Sequence, residues 1–464
     1  MYHNTSSRIK FQSGLSKTFE SECGVKQGDV LRPLLFNIFI DDITNELKKY
    51  NCDPVKIGIN SINCLLYADD IVLLSETKQG LQNSLNVISS YCNVWKLHVN
   101  VSKSKVVVFN SNGRSHTNEF TFNSDVLQTV PRYCYLGVML HFNGNFNLAV
   151  SILTEKARKV LFKVKKSIGL DHPCKLLEKL FDSIISPILL YCNEVWGVDT
   201  SPSDSSMVEK FHMKFIKEIL GVHCKTTNVA CRSELGRLPI RSKIMFSSIK
   251  FLNHIISSEN TLVFKLFQAT EKDNPWTNKI YSIIKRLGFP FLVNSKHSLK
   301  PFLSRIKQRI QDQYIQEELY KISQSNKLNF FQSLNFMNKR SYYVDIVHKR
   351  SERSILSKIR LSAHSLNIEK GRHLSTPESE RTCKICNTGD VEDELHFLSI
   401  CSKYSPERSQ YKKKVSDYLN FDINLLNDNF LINCLNSNSY TILKLTCNYI
   451  NNCLNIRNDT LSLL

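Results

Sequence analysis

Apolar positions along this chain follow two different periods, and the change from one to the other divides it. Up to about residue 143 the apolar runs are short and broken by Gly, Asn and Ser, which predicts strands with a few intervening helices. Residues 1–22 read as strand and turn, with breaks at Asn4-Thr5-Ser6-Ser7 and Ser13-Gly14. Pro33 followed by Phe36, Ile40, Ile43 and Leu47 predicts one helix with Pro in its first turn. Lys56–Leu74 predicts a hairpin turning at Asn60-Ser61, then two short strands meeting at a turn that carries Asp69 and Asp70. Ser75 or Thr77 can cap the helix whose stripe is Leu81, Leu85, Ile88, Cys92 and Trp95. Residues 97–109 form a turn feeding a strand, and Asn143-Gly144 marks a further turn after the run Arg132–Leu140.

Beyond Gly144 the period becomes helical. Leu153, Ala157, Val160, Leu161, Val164 and Ile168 line one face, and Lys156, Arg158, Lys159, Lys163, Lys165 and Lys166 crowd the rest. A second helix carries Leu177, Leu180, Phe181, Ile184, Ile185 and Leu189, and a third Val208, Phe211, Phe215, Ile219 and Leu220. Residues 271–345 are helical, polar, Lys-rich and punctuated by aromatics, with no assignable chemistry; they read as a connector.

Charge sharpens this picture. Lys and Arg number 61 against 42 Asp and Glu, a net +19, which favours a polyanionic partner, nucleic acid before an acidic membrane surface. No run approaches the roughly 18 apolar residues of a membrane span. Thirteen of the fifteen cysteines are scattered singly, Cys64, Cys92, Cys134 and Cys192 among them, a pattern of reduced, intracellular protein.

Chemistry concentrates in two places. Asp69 and Asp70 sit inside the apolar run Leu65–Leu74. Alone, an Asp-Asp pair marks an exposed turn, but two carboxylates at a sheet end also offer the hard oxygen ligands that Mg²⁺ prefers. Cys383, Cys386, His396 and Cys401 have the types and spacing of a tetrahedral zinc shell, and Glu394 could orient the imidazole from behind. Arg353, Lys358, Arg360, Lys370, Arg372 and Arg381 make the approach to that cluster basic, so it is expected to bind RNA or DNA.

Tyr67-Ala68-Asp69-Asp70 resembles the most diagnostic motif of reverse transcriptases, specifically those of non-LTR (LINE-type) retrotransposons. Three neighbours resemble further motifs of the family in its order: Gly24–Asn37, Leu97–Phe109 and Arg132–Leu140. The resemblance implies Mg²⁺ on Asp69 and Asp70, and Gln27 and Gly28 against template and incoming nucleotide. It implies a Lys near the triphosphate, Lys103 before Lys105, and a primer-grip hairpin with Leu136 and Gly137; Tyr67 adjoins the same substrate. Arg32 departs from the usual Ser before Pro33. Ile219–Val222, Glu234–Pro239 and the Cys-Cys-His-Cys segment resemble strings that follow the palm in LINE-type proteins.

The expected fold is therefore α+β: a truncated right-hand polymerase palm (1–143), a helical thumb bundle (144–270), a helical connector (271–345), a basic zinc-binding segment (346–410) and a helical tail (411–464). The implied partners are an RNA template and a DNA primer or target, without membrane, in nucleus and cytoplasm. A third Asp that bridges the metals in the family has no counterpart before Asp29, and Asp29, Asp41 and Asp42 are ill placed to replace it. A truncated reading frame or incomplete gene model is expected, its polymerase inactive as an isolated chain. The alternative is a non-catalytic nucleic-acid-binding remnant using the basic helix and the zinc segment.

Overall fold

A computed structural model describes the chain except residues 1–4, 12–13, 22–27, 29, 51, 111–118, 200–203, 260, 294–298, 335–338, 387, 421–428 and 464. It resolves into two compact units, residues 1–145 with 260–271, and residues 146–259 with 272–464.

In the first unit, α1 (Arg32–Ile40) and α2 (Ile43–Lys49) are separate helices, where the apolar stripe predicts one. The break falls at Asp41-Asp42, and the Asp42 carboxylate is drawn aside to accept a 2.5 Å bond from the Tyr91 hydroxyl. Ile43 and Leu47 still point inward, against Leu85, Ile88 and Cys92 of α3 (Lys78–Trp95). Thr77 caps α3, its hydroxyl oxygen accepting from the Gly80 amide at 3.0 Å. Strands Val55–Ile57 and Asn60–Ile62 turn at Gly58-Ile59, so Asn60 and Ser61 lie on the strand and not in the turn as expected. Gly58, at φ +60°, supplies the left-handed residue that the turn needs.

Strands β1 (Cys64–Tyr67) and β2 (Asp70–Leu73) pair antiparallel, with Tyr67 opposite Asp70. A small three-stranded sheet follows. In it β3 (Lys105–Val106) runs parallel to β5 (Asp125–Thr129), which pairs antiparallel with β4 (Phe120–Phe122). The unit's last hairpin joins β6 (Arg132–Tyr135) to β7 (Val138–His141). Its two turn residues, Leu136 and Gly137, have φ of +45° and +83°. Positive φ at both centres matches the twist of the flanking strands, and the second falls on glycine.

The second unit is helical. One continuous core runs from α4 (Asn147–Ile168) through α5 (Met207–Leu220) and α6 (Asn228–Leu235) to residue 453. α7 (Arg241–Ser257), α8 (Pro275–Arg286) and α9 (Leu303–Ser323) follow α6. Next in the chain are α10 (Arg350–Arg360), α11 (Asn367–His373), α12 (Ser405–Leu419) and α13 (Tyr440–Ser462). Gly221, φ +71°, ends α5, and a Cβ there would stand 2.6 Å from the Ser354 Cβ. Only glycine therefore lets α10 approach so closely, and the Ser354 hydroxyl donates to the Gly221 carbonyl at 2.6 Å. The helix expected over 177–189 is interrupted by a π-turn at Phe181–Ile185.

The stretch that reads as a connector in sequence is built into this core. Ile322, Leu328, Phe330, Phe331 and Leu334 lie in it. On α9, Glu318 receives Arg232 through bonds of 3.0 and 2.6 Å, both side chains fully or nearly buried. Burial opposes the charge on Arg232, but Glu318, Asp204 and Glu209 more than restore it and hold its pKa above the ordinary value.

Candidate functional site

The first centre is the β1–β2 turn. Ala68 takes φ +52°, a conformation unfavourable by about 1 kcal/mol for an L-residue, and so folds the chain back between Tyr67 and Asp70. Asp69 lies in the turn and Asp70 opens β2, both exposed, with Tyr67 exposed beside them. The apolar flanks do not bury these carboxylates; they anchor a hairpin that holds them out. Hard oxygen donors so presented fit Mg²⁺. Among the described residues, no third acidic group joins them in a cluster able to surround an ion.

Two tyrosines of β6 relate to neighbouring elements. Burial first, and then the negative charge of Asp70, raise the pKa of Tyr135 at the end of β6. From the same strand, the Tyr133 hydroxyl donates to the Lys103 carbonyl at 3.2 Å. The Lys103 loop is further shaped by Asn100, whose side-chain oxygen accepts from the Lys103 amide at 3.1 Å and the Ser102 hydroxyl at 2.7 Å. Lys103 is exposed and Lys105 half-buried at the start of β3. The β6–β7 hairpin thus holds the Lys103 loop through Tyr133 and turns at Leu136-Gly137. Gly28 is exposed at φ +89°, and Gln27 lies outside the described residues. Sequence reasoning misses Tyr133 and Tyr135; their alternation on β6 is the signal that could find them.

The second centre is the Cys/His cluster. Its four donor atoms, from Cys383, Cys386, His396 and Cys401, all lie within 4.8 Å of one another. Thr382 bridges to Val391, and the Cys383 amide donates to the Asp390 carbonyl at 2.8 Å, closing the loop that carries the first two thiols. His396 begins a π-turn over His396–Ile400 that delivers Cys401 at its end. Nε2 of His396 faces the Cys386 sulfur at 3.4 Å. Burial opposes a thiolate at Cys386, but hydrogen bonds from Thr388, Cys383 and His396 outweigh it and bring its pKa down to about 6. Three thiols and one imidazole in this arrangement are the donor set of a closed structural zinc site.

The acidic residues beside His396 act differently from expectation. Glu394 accepts from the Ser362 hydroxyl at 2.5 Å and from His364 Nε2 at 2.9 Å, so it orients His364 and not His396. Asp390 is the carboxylate behind the cluster, 3.7 Å from His396 Nδ1, while also receiving the Thr388 hydroxyl at 2.8 Å. Asp393 caps the π-turn, accepting from the His396 amide at 2.7 Å.

The basic approach is likewise mostly structural. Arg353 is fully buried and donates to five backbone carbonyls, those of Leu170, His172, Ile219, Val347 and His348, at 2.8–3.0 Å. Arg360, also buried, meets Glu234, Ser341, Asn436 and the Leu435 carbonyl. Arg381 donates to the Thr376 and Ile368 carbonyls, and Arg372 pairs with Glu369. A guanidinium is the side chain best able to satisfy several helix-end carbonyls at once, which is why these arginines point inward. Of the six, Lys358 and Lys370 are exposed. On α4, by contrast, Lys156, Lys159, Lys163 and Lys166 are all exposed and spaced three or four apart, beside Phe162 at 64% exposure.

Residues 2–140 match the reverse transcriptase (RNA-dependent DNA polymerase) family. Over those residues the chain is similar to reverse transcriptases. An RNA-directed DNA polymerase from mobile element jockey of Drosophila funebris is 24% identical over 279 residues, 57% of this chain and 29% of the relative. A retrovirus-related Pol polyprotein from a type-1 retrotransposable element R2 of Nasonia vitripennis is 28% identical over 167 residues, 34% of this chain and 16% of the relative. The chain spans less than a third of the length of these curated relatives. The reverse-transcriptase match covers the Asp69-Asp70 turn and the β6–β7 hairpin, but not the Cys/His cluster. No helix among the described residues is long and apolar enough to cross a membrane.

Proposed function

We propose that the chain acts in RNA-directed DNA synthesis of a non-LTR retrotransposon, with Asp69 and Asp70 as metal-holding carboxylates of a polymerase palm. The observation that carries this reading is the β1–β2 turn, which holds both carboxylates out to solvent. Mg²⁺ bound there would neutralise phosphate charge and favour ionisation of the attacking hydroxyl. Tyr67, Leu136 and Gly137 border the primer end, Gln27 and Gly28 line the template, and Lys103 protonates the departing pyrophosphate, with Lys105 as second choice. The exposed lysines of α4 suit the backbone of a duplex, since phosphate contacts need charge but no base reading. In that reading α4 begins a thumb. Two carboxylates make a weak two-metal site, and imprecise placement of the nucleophile costs orders of magnitude in rate, so extension by these residues alone is slow.

We assign Zn²⁺ to Cys383, Cys386, His396 and Cys401, as a structural ion. The cluster's surroundings are core residues, and this favours a fold-holding role over direct contact with nucleic acid. Primer extension on an RNA template with Mg²⁺, comparing the chain with Asp69→Ala, tests the polymerase reading. Binding without any extension would favour the second reading, a nucleic-acid-binding protein using α4.

A further inference from the structure

Residues 274–311 contain no Asp or Glu and eight Lys or Arg, a concentration of charge that the polymerase reading leaves unused. The structure shows what this stretch builds. α8 ends at Arg286, and Gly288 at φ +87° lets the chain leave the helix. A 3-10 turn over Pro290–Leu292 then holds Phe291 outward at 61% exposure, while Leu292 is buried beneath it. A second short turn, Lys300–Phe302, brings Phe302 edge-on to Phe291 with ring centroids 5.5 Å apart, and the Phe289 ring stands 6.2 Å from Phe291.

Around this aromatic group the cations are exposed. Lys285 and Arg286 end α8, and Arg305 and Arg309, four apart on the first turns of α9, share an exposed face next to the buried one of Ile306 and Ile310. Other cations of the stretch are used within the fold. Lys279 pairs with Asp199, and Lys307 lies over the Phe246 ring at 5.9 Å. The nearest acid on α9, Asp312, is engaged by Gln308 at 2.8 Å. An exposed ring, edge-supported by a second ring and flanked along the chain by exposed cations with no acid in the stretch, suits a single-stranded nucleic acid. Bases stack on the ring and phosphates meet the cations.

We infer that residues 285–293 and 299–309 form a binding surface for single-stranded nucleic acid, with Phe291 as stacking platform and Lys285, Arg286, Arg305 and Arg309 as phosphate contacts. This surface is distinct from the Asp69-Asp70 turn and from the lysine face of α4. It does not depend on polymerase activity. Single-stranded character follows from the ring, because a base inside a duplex has no free face to offer it.

The test is fluorescence anisotropy of a labelled oligouridine with the full chain, without nucleotide or Mg²⁺. Phe291→Ala is expected to weaken binding about tenfold, and Phe291→Trp to retain it. The double variant R305Q/R309Q should weaken binding and lower the salt slope by about 0.7 for each phosphate no longer neutralised. Binding to a duplex RNA should be unchanged by Phe291→Ala. Equal melting temperatures for the variants establish that the fold is kept. Wild-type affinity in Phe291→Ala would overturn the inference, whether or not R305Q/R309Q binds more weakly. So would variants that lose affinity for anionic phosphatidylserine vesicles while keeping it for oligouridine.

Discussion

Arg457, on the last helix of the chain, meets Glu392 beside the Cys/His cluster through two hydrogen bonds of 2.7 Å, with both side chains about 1% exposed. Sixty-five positions apart in sequence, the two residues bind α13 to the loop that carries the thiols. Tyr449 adds a 2.5 Å bond to the Leu398 carbonyl, and Arg408 of α12 one of 2.7 Å to the Cys401 carbonyl. The cluster is therefore fastened into the core of its unit by both C-terminal helices.

Removing one partner of a buried pair leaves the other charge uncompensated. Arg457→Met should destabilise the second unit by about 3–5 kcal/mol, while replacing Glu392 and Arg457 together with apolar residues should recover much of the loss. Urea denaturation followed by helical circular dichroism would check both, and equal losses in the single and double variants would count against the pair.

The two carboxylates near His396 have separable effects. Asp390→Ala should lower zinc affinity about 10–100-fold, because it removes the group behind Nδ1, a nitrogen that is buried and otherwise without a hydrogen-bond partner. Glu394→Gln should leave zinc affinity unchanged and lower thermal stability instead, through His364 and Ser362. Competition with a chromophoric chelator distinguishes the two variants, and chelation of the wild type should lower the melting temperature of the second unit.

His212 sets a pH dependence. Burial depresses its pKa to about 4, against the pull of Glu209 and with Arg237 and Arg232 adding to the depression. Arg237 donates to its Nε2 at 2.7 Å, which requires the neutral ring. Because the unfolded chain takes up this proton first, the contribution is full above pH 6.5 and is lost as pH falls towards 4. The loss is of order 3 kcal/mol. Denaturation midpoints between about pH 7 and pH 4 should therefore fall more steeply for wild type than for His212→Asn.

Much of the chemistry is legible in sequence because it is local. Asp69-Asp70, Leu136-Gly137 and the Cys383-Cys386 pair each occupy a turn that a few neighbouring residues specify. What is not legible depends on distant partners. Nothing near Arg353 in sequence shows that the ends of α4 and α5 present carbonyls to it, and Glu394, nearer than Asp390 to His396 along the chain, is engaged by His364 and Ser362 instead. The break at Asp41-Asp42 escapes for the same reason, since Tyr91 lies 49 positions from Asp42.

Inward and outward cations should answer differently. Arg353→Met leaves five carbonyls without their donor and should cost about 3 kcal/mol or more of stability. Charge neutralisation on α4, by Lys159→Gln with Lys163→Gln, should leave stability within about 0.5 kcal/mol. The same change should weaken duplex binding and reduce its salt slope by roughly 0.9 per phosphate. Thermal melts paired with anisotropy at several salt concentrations would separate the two classes.

The most direct measurement is primer extension on an RNA template with Mg²⁺, following the rate for the chain, Asp69→Ala and Asp70→Ala under the same conditions. The polymerase reading predicts slow extension by the unaltered chain, lost in both variants while primer–template binding persists. Extension that continues undiminished in Asp69→Ala would contradict it, because the metal-holding role would then lie elsewhere than the β1–β2 turn.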